Sequence, residues 1–343
     1  MLIGIDCRLI DKTHNTGISR YTEFLIQYYI DRFGVNSIIL ISNNKSYQND
    51  NCKVVYTKLK PFNILHFFQY SSFVCNIKLD ILHVPFYSAL LLKNNNIKVI
   101  VTVHDLMYHF VDDFFGTNYI INKLKVFYFD FIVRKSLINA DRIVSVSKTT
   151  KNDILTTFGF DSVHIPEDSN IEFEADMSLI NKFNLLKKNY FFYCGNNRPH
   201  KNIDFIRTIF NNNLDLPPLV LAGKGHQSGE NVIATGVVSE EELIALYESA
   251  IAFVFPSKYE GFGLPVLESL RLGTFVIASK IPAFLEFDSE NIFFFELNNT
   301  KEFMSAIDNS RTKNFINNAI FFNTYDKSSI YKLNDIMLKD FIK

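Results

Sequence analysis

Two glutamates stand eight positions apart in the stretch "YEGFGLPVLESLRLG" (259–273), with Gly261, Gly263 and Pro265 between Glu260 and Glu268. The preceding run "AIAFVFPS" (250–257) reads as a buried strand. Pro265 suits a first helical position, where its missing N–H costs nothing, and Gly273 suits the stop after a helix reaching Leu272. Gly261 and Gly263 let the backbone approach a ligand closely. The unpaired N–H groups of the loop and first helical turn then face an anion. Glu268 lies one turn into that helix, and helical side chains lean toward the N-terminus, so both acids are expected at one mouth. Neither belongs against phosphate, because two like charges at ~4 Å repel by about 4 kcal/mol at an effective dielectric near 20. Carboxylates there are better used to accept hydrogen bonds from hydroxyls. A nucleotide-sugar presents both kinds of group, phosphates for the helix start and hydroxyls for the acids. The spacing alone also fits a structural turn carrying two solvated glutamates.

Positive charge comes from a second strand-to-helix turn, "YFFYCGNNRPHKNIDFI", which places Arg198 and Lys201 just after a strand. Arginine binds phosphate bidentately and lysine as a point charge, so the pair can neutralise a diphosphate leaving group without a metal. Taken singly, both are also ordinary surface cations. No Asp-x-Asp pair exists to hold a magnesium diphosphate, and the eight histidines show no HxH or HxxxH spacing. His104 ends the strand "VTVHDL", and Gly17 in "NTGISRYTEFLI" follows the first strand and opens a helix. Gly17 allows close approach of a phosphate or acceptor, and His104 sits at the carboxyl end of its strand, facing the expected cleft. "GKGHQSG" (223–229) lacks the spacing of a phosphate loop, and "HVPFY" (83–87) has no metal partner nearby.

The elements that must position these residues alternate along the chain. Short continuous apolar strands at 2–6, 37–42, 81–86, 98–105 and 142–147 are separated by helical stretches such as 18–33, 62–76 and 119–139. A polar stretch at 160–189, containing Pro166, reads as a linker. A second series of strands follows at 190–195, 217–223, 231–236, 250–257, 274–279 and 291–296. Such alternation predicts parallel sheets covered on both faces, here two doubly wound α/β domains in tandem facing a cleft. Ligands in such folds sit at the carboxyl ends of the strands.

Composition bounds the rest. At 343 residues the chain predicts about two domains, and its net charge of −1 without a long basic run argues against nucleic acid as a partner. Four cysteines without a CxxC pair predict buried thiols in a reducing compartment. No export signal opens the chain and no apolar run reaches ~18 residues, so a cytoplasmic location without a membrane span is expected. The 35 phenylalanines and 16 tyrosines fill cores, with a minority available for a membrane surface or an acceptor. The stretch "PFNILHFFQYSSFVC" (61–75), with Phe67 and Phe68, is the candidate for that contact and reads equally as a core helix.

With these pieces in order, the chain resembles a retaining glycosyltransferase of family 4, with the GT-B fold, over nearly its whole length. Glu260-Gly261-Phe262-Gly263-Leu264 with Glu268 matches that family's E-x7-E motif, and "NTGISRYT", "VTVHDL", "ADRIVSVSKTTKNDI" and "GNNRPHKN" fall in its order. The chain departs from the family at "HIPEDSN", where "PNG" is usual. "GISRYT", "DILHVPFY" and "HDLMY" resemble the mannosyl- and rhamnosyltransferases of bacterial surface polysaccharides.

The resemblance implies an acceptor-binding domain at 1–165, a donor domain at 185–322 and a helix at 323–343 crossing back to the first. It implies that Arg198 and Lys201 bind the donor diphosphate and Glu268 the ribose. Glu260, with the Phe262 and Gly263 backbone, would hold the donor sugar, and His104 would face it. The expected activity is metal-independent, cofactor-free transfer of a hexose, first of all mannose from GDP-mannose, to a lipid-linked saccharide of O-antigen or capsule, with retention and with peripheral contact at the inner membrane face. A nucleotide-sugar epimerase and a non-enzymatic two-domain sugar-binding protein are the alternatives.

Overall fold

The computed structural model describes residues 1–10, 16–92, 96–168 and 176–342, and of Phe67 only the backbone. The first residue of "NTGISRYT", residues 169–175 of the expected linker and the side chain of Phe67 therefore lie outside the described residues. The chain divides into two compact units, Met1–Asp168 with Lys327–Lys343, and Ser169–Asp326.

In the first unit, β1 (Ile3–Asp6), β2 (Ile38–Ser42), β3 (Lys53–Tyr56), β4 (Ile81–Val84), β5 (Lys98–Val103), β6 (Arg142–Ser145) and β7 (Val163–His164) form one sheet in the order β3-β2-β1-β4-β5-β6-β7. Every pairing in it is parallel. The inner strands are buried along their length because helices cover both faces, which is why they read as unbroken apolar runs. Those helices are α1 (Gly17–Phe33), α2 (Ile64–Ile77), the single turn α3 (Met107–Phe110), α4 (Tyr119–Ile138) and α5 (Lys148–Phe158). Thr16, Asn63, Asn118 and Ser147 cap the four longer ones, each side chain accepting a backbone N–H of the first turn.

The second unit carries β8 (Phe191–Cys194), β9 (Leu219–Ala222), β10 (Val232–Gly236), β11 (Ala252–Phe255), β12 (Phe275–Ser279) and β13 (Ile292–Phe295) in the order β10-β9-β8-β11-β12-β13, again all parallel. Its helices are α6 (Ile203–Asn211), α7 (Glu240–Ser249), α8 (Leu264–Arg271), the turn α9 (Pro282–Leu285), α10 (Thr300–Thr312) and α11 (Ala319–Thr324). Phe191, Phe192, Phe210, Phe253, Phe255, Phe284 and Phe303 are buried in its core, which accounts for much of the phenylalanine content. The last helix, α12 (Lys327–Leu338), packs on α1 of the first unit. Tyr28 and Arg32 both reach the Asp335 carboxylate, at 2.9 and 2.8 Å, and Tyr331 donates to Asp31 at 2.9 Å.

The polar stretch 160–189 is more structured than a linker. Val163 and His164 extend the first sheet as its edge strand, paired with Val144 and Ser145. Met177–Phe183 forms a 3-10 helix tied to α7 by Lys182 Nζ on Glu242 Oε1 at 2.6 Å. A two-residue edge strand carries too few apolar positions to show in a sequence pattern.

Candidate functional site

The second sheet changes winding direction between β8 and β11, so the loops after these strands leave toward opposite sides and open a crevice at their carboxyl ends. Residues 195–202 form the first loop and residues 256–263 the second. The backbone N–H of Lys258 donates to the His200 carbonyl at 2.8 Å, which joins them. Lys201 comes from one loop and Glu260 from the other. They meet as an ion pair, Lys201 Nζ on Glu260 Oε1 at 2.6 Å, with side chains only 15% and 12% exposed. Lys201 Nζ also stands 5.0 Å over the Phe255 ring. The expected diphosphate cation and sugar-binding acid thus neutralise each other.

Lys201 is the last residue of a 3-10 turn, Pro199–Lys201, rather than the start of an α-helix; Asn202 in the left-handed region then leads into α6. Arg198 precedes this turn and is exposed, without an ion pair among the described residues. His200 is buried, and burial followed by the charge of Lys201 pushes its pKa down to about 4, so it is neutral at pH 7.

Phe262 anchors the second loop, its ring 5.3 Å from Phe287 and 6.0 Å from Tyr325. Gly263 has φ 123°, and a Cβ there would lie 3.0 Å from Phe284, so only glycine fits. Leu264 is the first residue of α8, which puts Pro265 at the second position, one later than expected. The helix ends as expected: the Gly273 and Thr274 N–H groups return to Leu270 and Ser269 at 3.1 and 2.9 Å, closing a Schellman turn on Gly273. Glu268 is buried on α8, and its Oε2 accepts from Tyr247 Oη of α7 at 3.3 Å. Tyr247 Oη also meets Cys194 Sγ at 2.8 Å, which places Glu268 beside the end of β8. Sequence reasoning missed Tyr247, which carries no motif.

Gly17 and His104 lie in the first unit. Gly17 opens α1 after its cap Thr16. His104 follows β5, with Nδ1 2.6 Å from Glu167 Oε1 and Nε2 3.1 Å from the Pro85 carbonyl oxygen. Sequence reasoning also missed Glu167; its signal was the acid in "HIPEDSN", at the departure from the family pattern. His83, set aside as a metal ligand, is fully buried between Tyr29 Oη and Thr102 Oγ1, both at 2.9 Å. Among the described residues no group of three or more His, Cys, Asp or Glu could hold a metal ion, and no helix is long and apolar enough to cross a membrane.

Two Rossmann-like parallel-sheet units are the architecture of the GT-B class of glycosyltransferase folds. Two family models match, one per unit: Glycosyltransferase Family 4 over residues 16–166 and Glycosyl transferases group 1 over residues 178–319. The first unit thus carries a glycosyltransferase family 4 domain and the second a glycosyl transferases group 1 domain. It is 31% identical over 234 residues to the O-antigen chain mannosyltransferase RfbU of Salmonella typhimurium, covering 64% of this chain and 61% of RfbU. It is 28% identical over 194 residues to O-antigen chain mannosyltransferase B of Escherichia coli, covering 48% and 50%. The matched region thus spans between half and two thirds of these relatives. The fold is similar to sucrose-phosphate synthase from Thermosynechococcus elongatus, with TM-score 0.75, 15% identity and 98% of each chain covered.

Proposed function

We propose that this chain is a retaining hexosyltransferase that moves mannose from GDP-mannose to a lipid-linked saccharide in O-antigen biosynthesis. The observation that carries the reading is the Lys201–Glu260 pair at the switch point of the second sheet. The similarity to two O-antigen chain mannosyltransferases supports the sugar and the pathway. An arriving diphosphate draws Lys201 Nζ from Glu260, and the exposed Arg198 adds a second cation. Glu260 is then released to accept from a donor-sugar hydroxyl, with the backbone of Gly261, Phe262, Gly263 and Leu264 alongside. Glu268 accepts from the ribose. Gly17 lets the ligand approach the start of α1, and His104 faces the donor sugar.

As the glycosidic bond breaks, negative charge grows on the diphosphate, where Lys201 and Arg198 stabilise it without a metal. The leaving diphosphate accepts the proton of the incoming hydroxyl on the same face, which gives retention. Positioning supplies the remainder of the rate.

The acceptor's lipid calls for peripheral contact with the inner face of the membrane, and the surface of α4 supports it. Ile120, Leu124 and Phe127 are 69%, 64% and 75% exposed, and Phe131 and Ile138 continue the same outward stripe at helical spacing. Lys123 and Arg134 flank it, suiting anionic headgroups. The stretch 61–75 contributes only its start: Ile64, Leu65 and Phe68 are exposed, whereas Tyr70 and Val74 are buried. Tyr128 Oη on the Phe62 carbonyl at 3.0 Å joins this start to α4.

A calorimetric panel of GDP, UDP, dTDP and ADP tests the donor. GDP is expected to bind tightest, and at 100 times its Kd to add about 2.7 kcal/mol of stability. Absence of binding by every nucleotide would overturn the reading. With donor alone, slow hydrolysis is expected; a change in the identity of the sugar would make the protein an epimerase.

A further inference from the structure

His104 has an acceptor at each ring nitrogen, the Glu167 carboxylate at Nδ1 and the Pro85 carbonyl at Nε2. A neutral imidazole carries one N–H and cannot donate at both. With Glu167 ionised, both ring nitrogens donate, and the 2.6 Å separation at Nδ1 is that of a short hydrogen bond. The other titratable groups around the ring do not compete for that charge. Tyr21 of α1 presents its ring edge-on, 4.8 Å away at 89°. His83 of β4, pushed down to about 3 by burial and then by His104, stays neutral. Asp105, next in the chain, adds negative charge. Burial by itself lowers the His104 pKa; the hydrogen bond and charge of Glu167, then Asp105, outweigh it, and the value is raised. From α5, Thr150 Oγ1 donates to the His104 carbonyl at 2.9 Å and fixes the backbone.

We propose that Glu167 is a positioning residue that keeps His104 a doubly protonated, cationic ring, so that His104 meets the donor sugar as a hydrogen-bond donor and never as a base. The proposal rests on His104 facing the donor, as read above. Glu167 lies three residues past edge strand β7 and reaches the end of β5, two strands away in the sheet. It is also the second-last residue of the first unit before the chain passes into the other, so the same bond pins the point of exit. A ligand oxygen can take over the Nε2–H from the Pro85 carbonyl. The carboxylate at Nδ1 holds the charge while it does.

The test uses the full chain and Glu167→Gln. A glutamine amide can donate to Nδ1 while Nε2–H stays on Pro85, so the geometry persists and only the charge is lost. Nitrogen-15 NMR of the ring, assigned by its loss in His104→Asn, should show both nitrogens protonated at pH 7 in the wild type and one in Glu167→Gln. A neutral His104 in the wild type, or a ring unchanged by the substitution, would overturn the proposal. With donor and acceptor, the wild-type kcat should fall on the alkaline side as His104 loses its proton. Glu167→Gln should lower kcat about ten- to a hundredfold at pH 7.5, the value of one charged hydrogen bond, and recover in part at lower pH. Coincident pH profiles in the two proteins would also overturn it. If no donor is turned over at all, the proposed function fails while the spectrum still judges the pair. Stability gives the same sign: the His104 contribution is full below the unfolded pKa of about 6.5 and is lost as pH rises through the raised folded value. In Glu167→Gln that alkaline loss should be absent.

Discussion

Lys201 and Glu260 are partners, and that sets what each substitution should do. Glu260→Gln leaves Lys201 without its counter-charge and, on the proposed reading, removes a contact to a sugar that gains positive charge as its bond breaks. It should lower kcat by about ten- to a hundredfold and leave GDP affinity nearly intact. Glu268→Gln keeps an acceptor for Tyr247 and so keeps the fold, but on the same proposed reading weakens a contact to a ribose that does not react. Nucleotide and whole donor should lose affinity alike, with KM raised and kcat little changed. Calorimetry with GDP beside turnover at saturating donor separates the two. Normal GDP binding by Glu268→Gln, or loss of GDP binding by Glu260→Gln with turnover kept, would reverse the roles. That these residues lie on two strand-to-helix turns was legible from residue type and spacing; the pairing of Lys201 with Glu260 was not, because they are 59 residues apart and only the sheet order joins their loops.

At the scale of the element, α4 is the anomaly. A surface helix of a soluble domain turns polar residues outward. This one buries Ile132, Val133, Ser136 and Leu137 and still shows solvent a stripe of isoleucine, leucine and phenylalanine. The sequence reading placed helix at 119–139 but put the membrane candidate on 61–75, because periodicity shows a helix without showing which apolar face has a partner. Phe127 and Phe131 are exposed, so Ser at both positions should leave the melting temperature unchanged. Wild-type protein should float with vesicles containing anionic phosphatidylglycerol, less so in high salt, and the double variant should bind about tenfold less or worse. Equal flotation of the two would remove α4 as the contact, and a wild type that dimerises instead of floating would assign the face to a second copy.

For the whole molecule, the net charge of −1 leaves no general field to hold an anionic donor, so local cations must do it. On the proposed reading Lys201 and Arg198 do so, and activity is expected to persist in EDTA. Complete loss on chelation, restored by magnesium, would show that the diphosphate needs a metal.

The sequence by itself determined the two parallel sheets, because strands buried on both faces must read as continuous apolar runs and their crossover helices must separate them. It also determined the turn at Gly263 and the stop at Gly273, since left-handed backbone conformations select glycine locally. Tertiary structure alone decided which side chains meet. The bond of Glu167 to His104 spans 63 residues and that of Tyr247 to Glu268 spans 21, and neither separation has a period that a sequence can display. Such contacts are set by strand order and by which loops share the carboxyl end of a sheet. The upward shift of the His104 pKa follows from them: burial alone would lower it, and a carboxylate brought from the far edge of the sheet raises it.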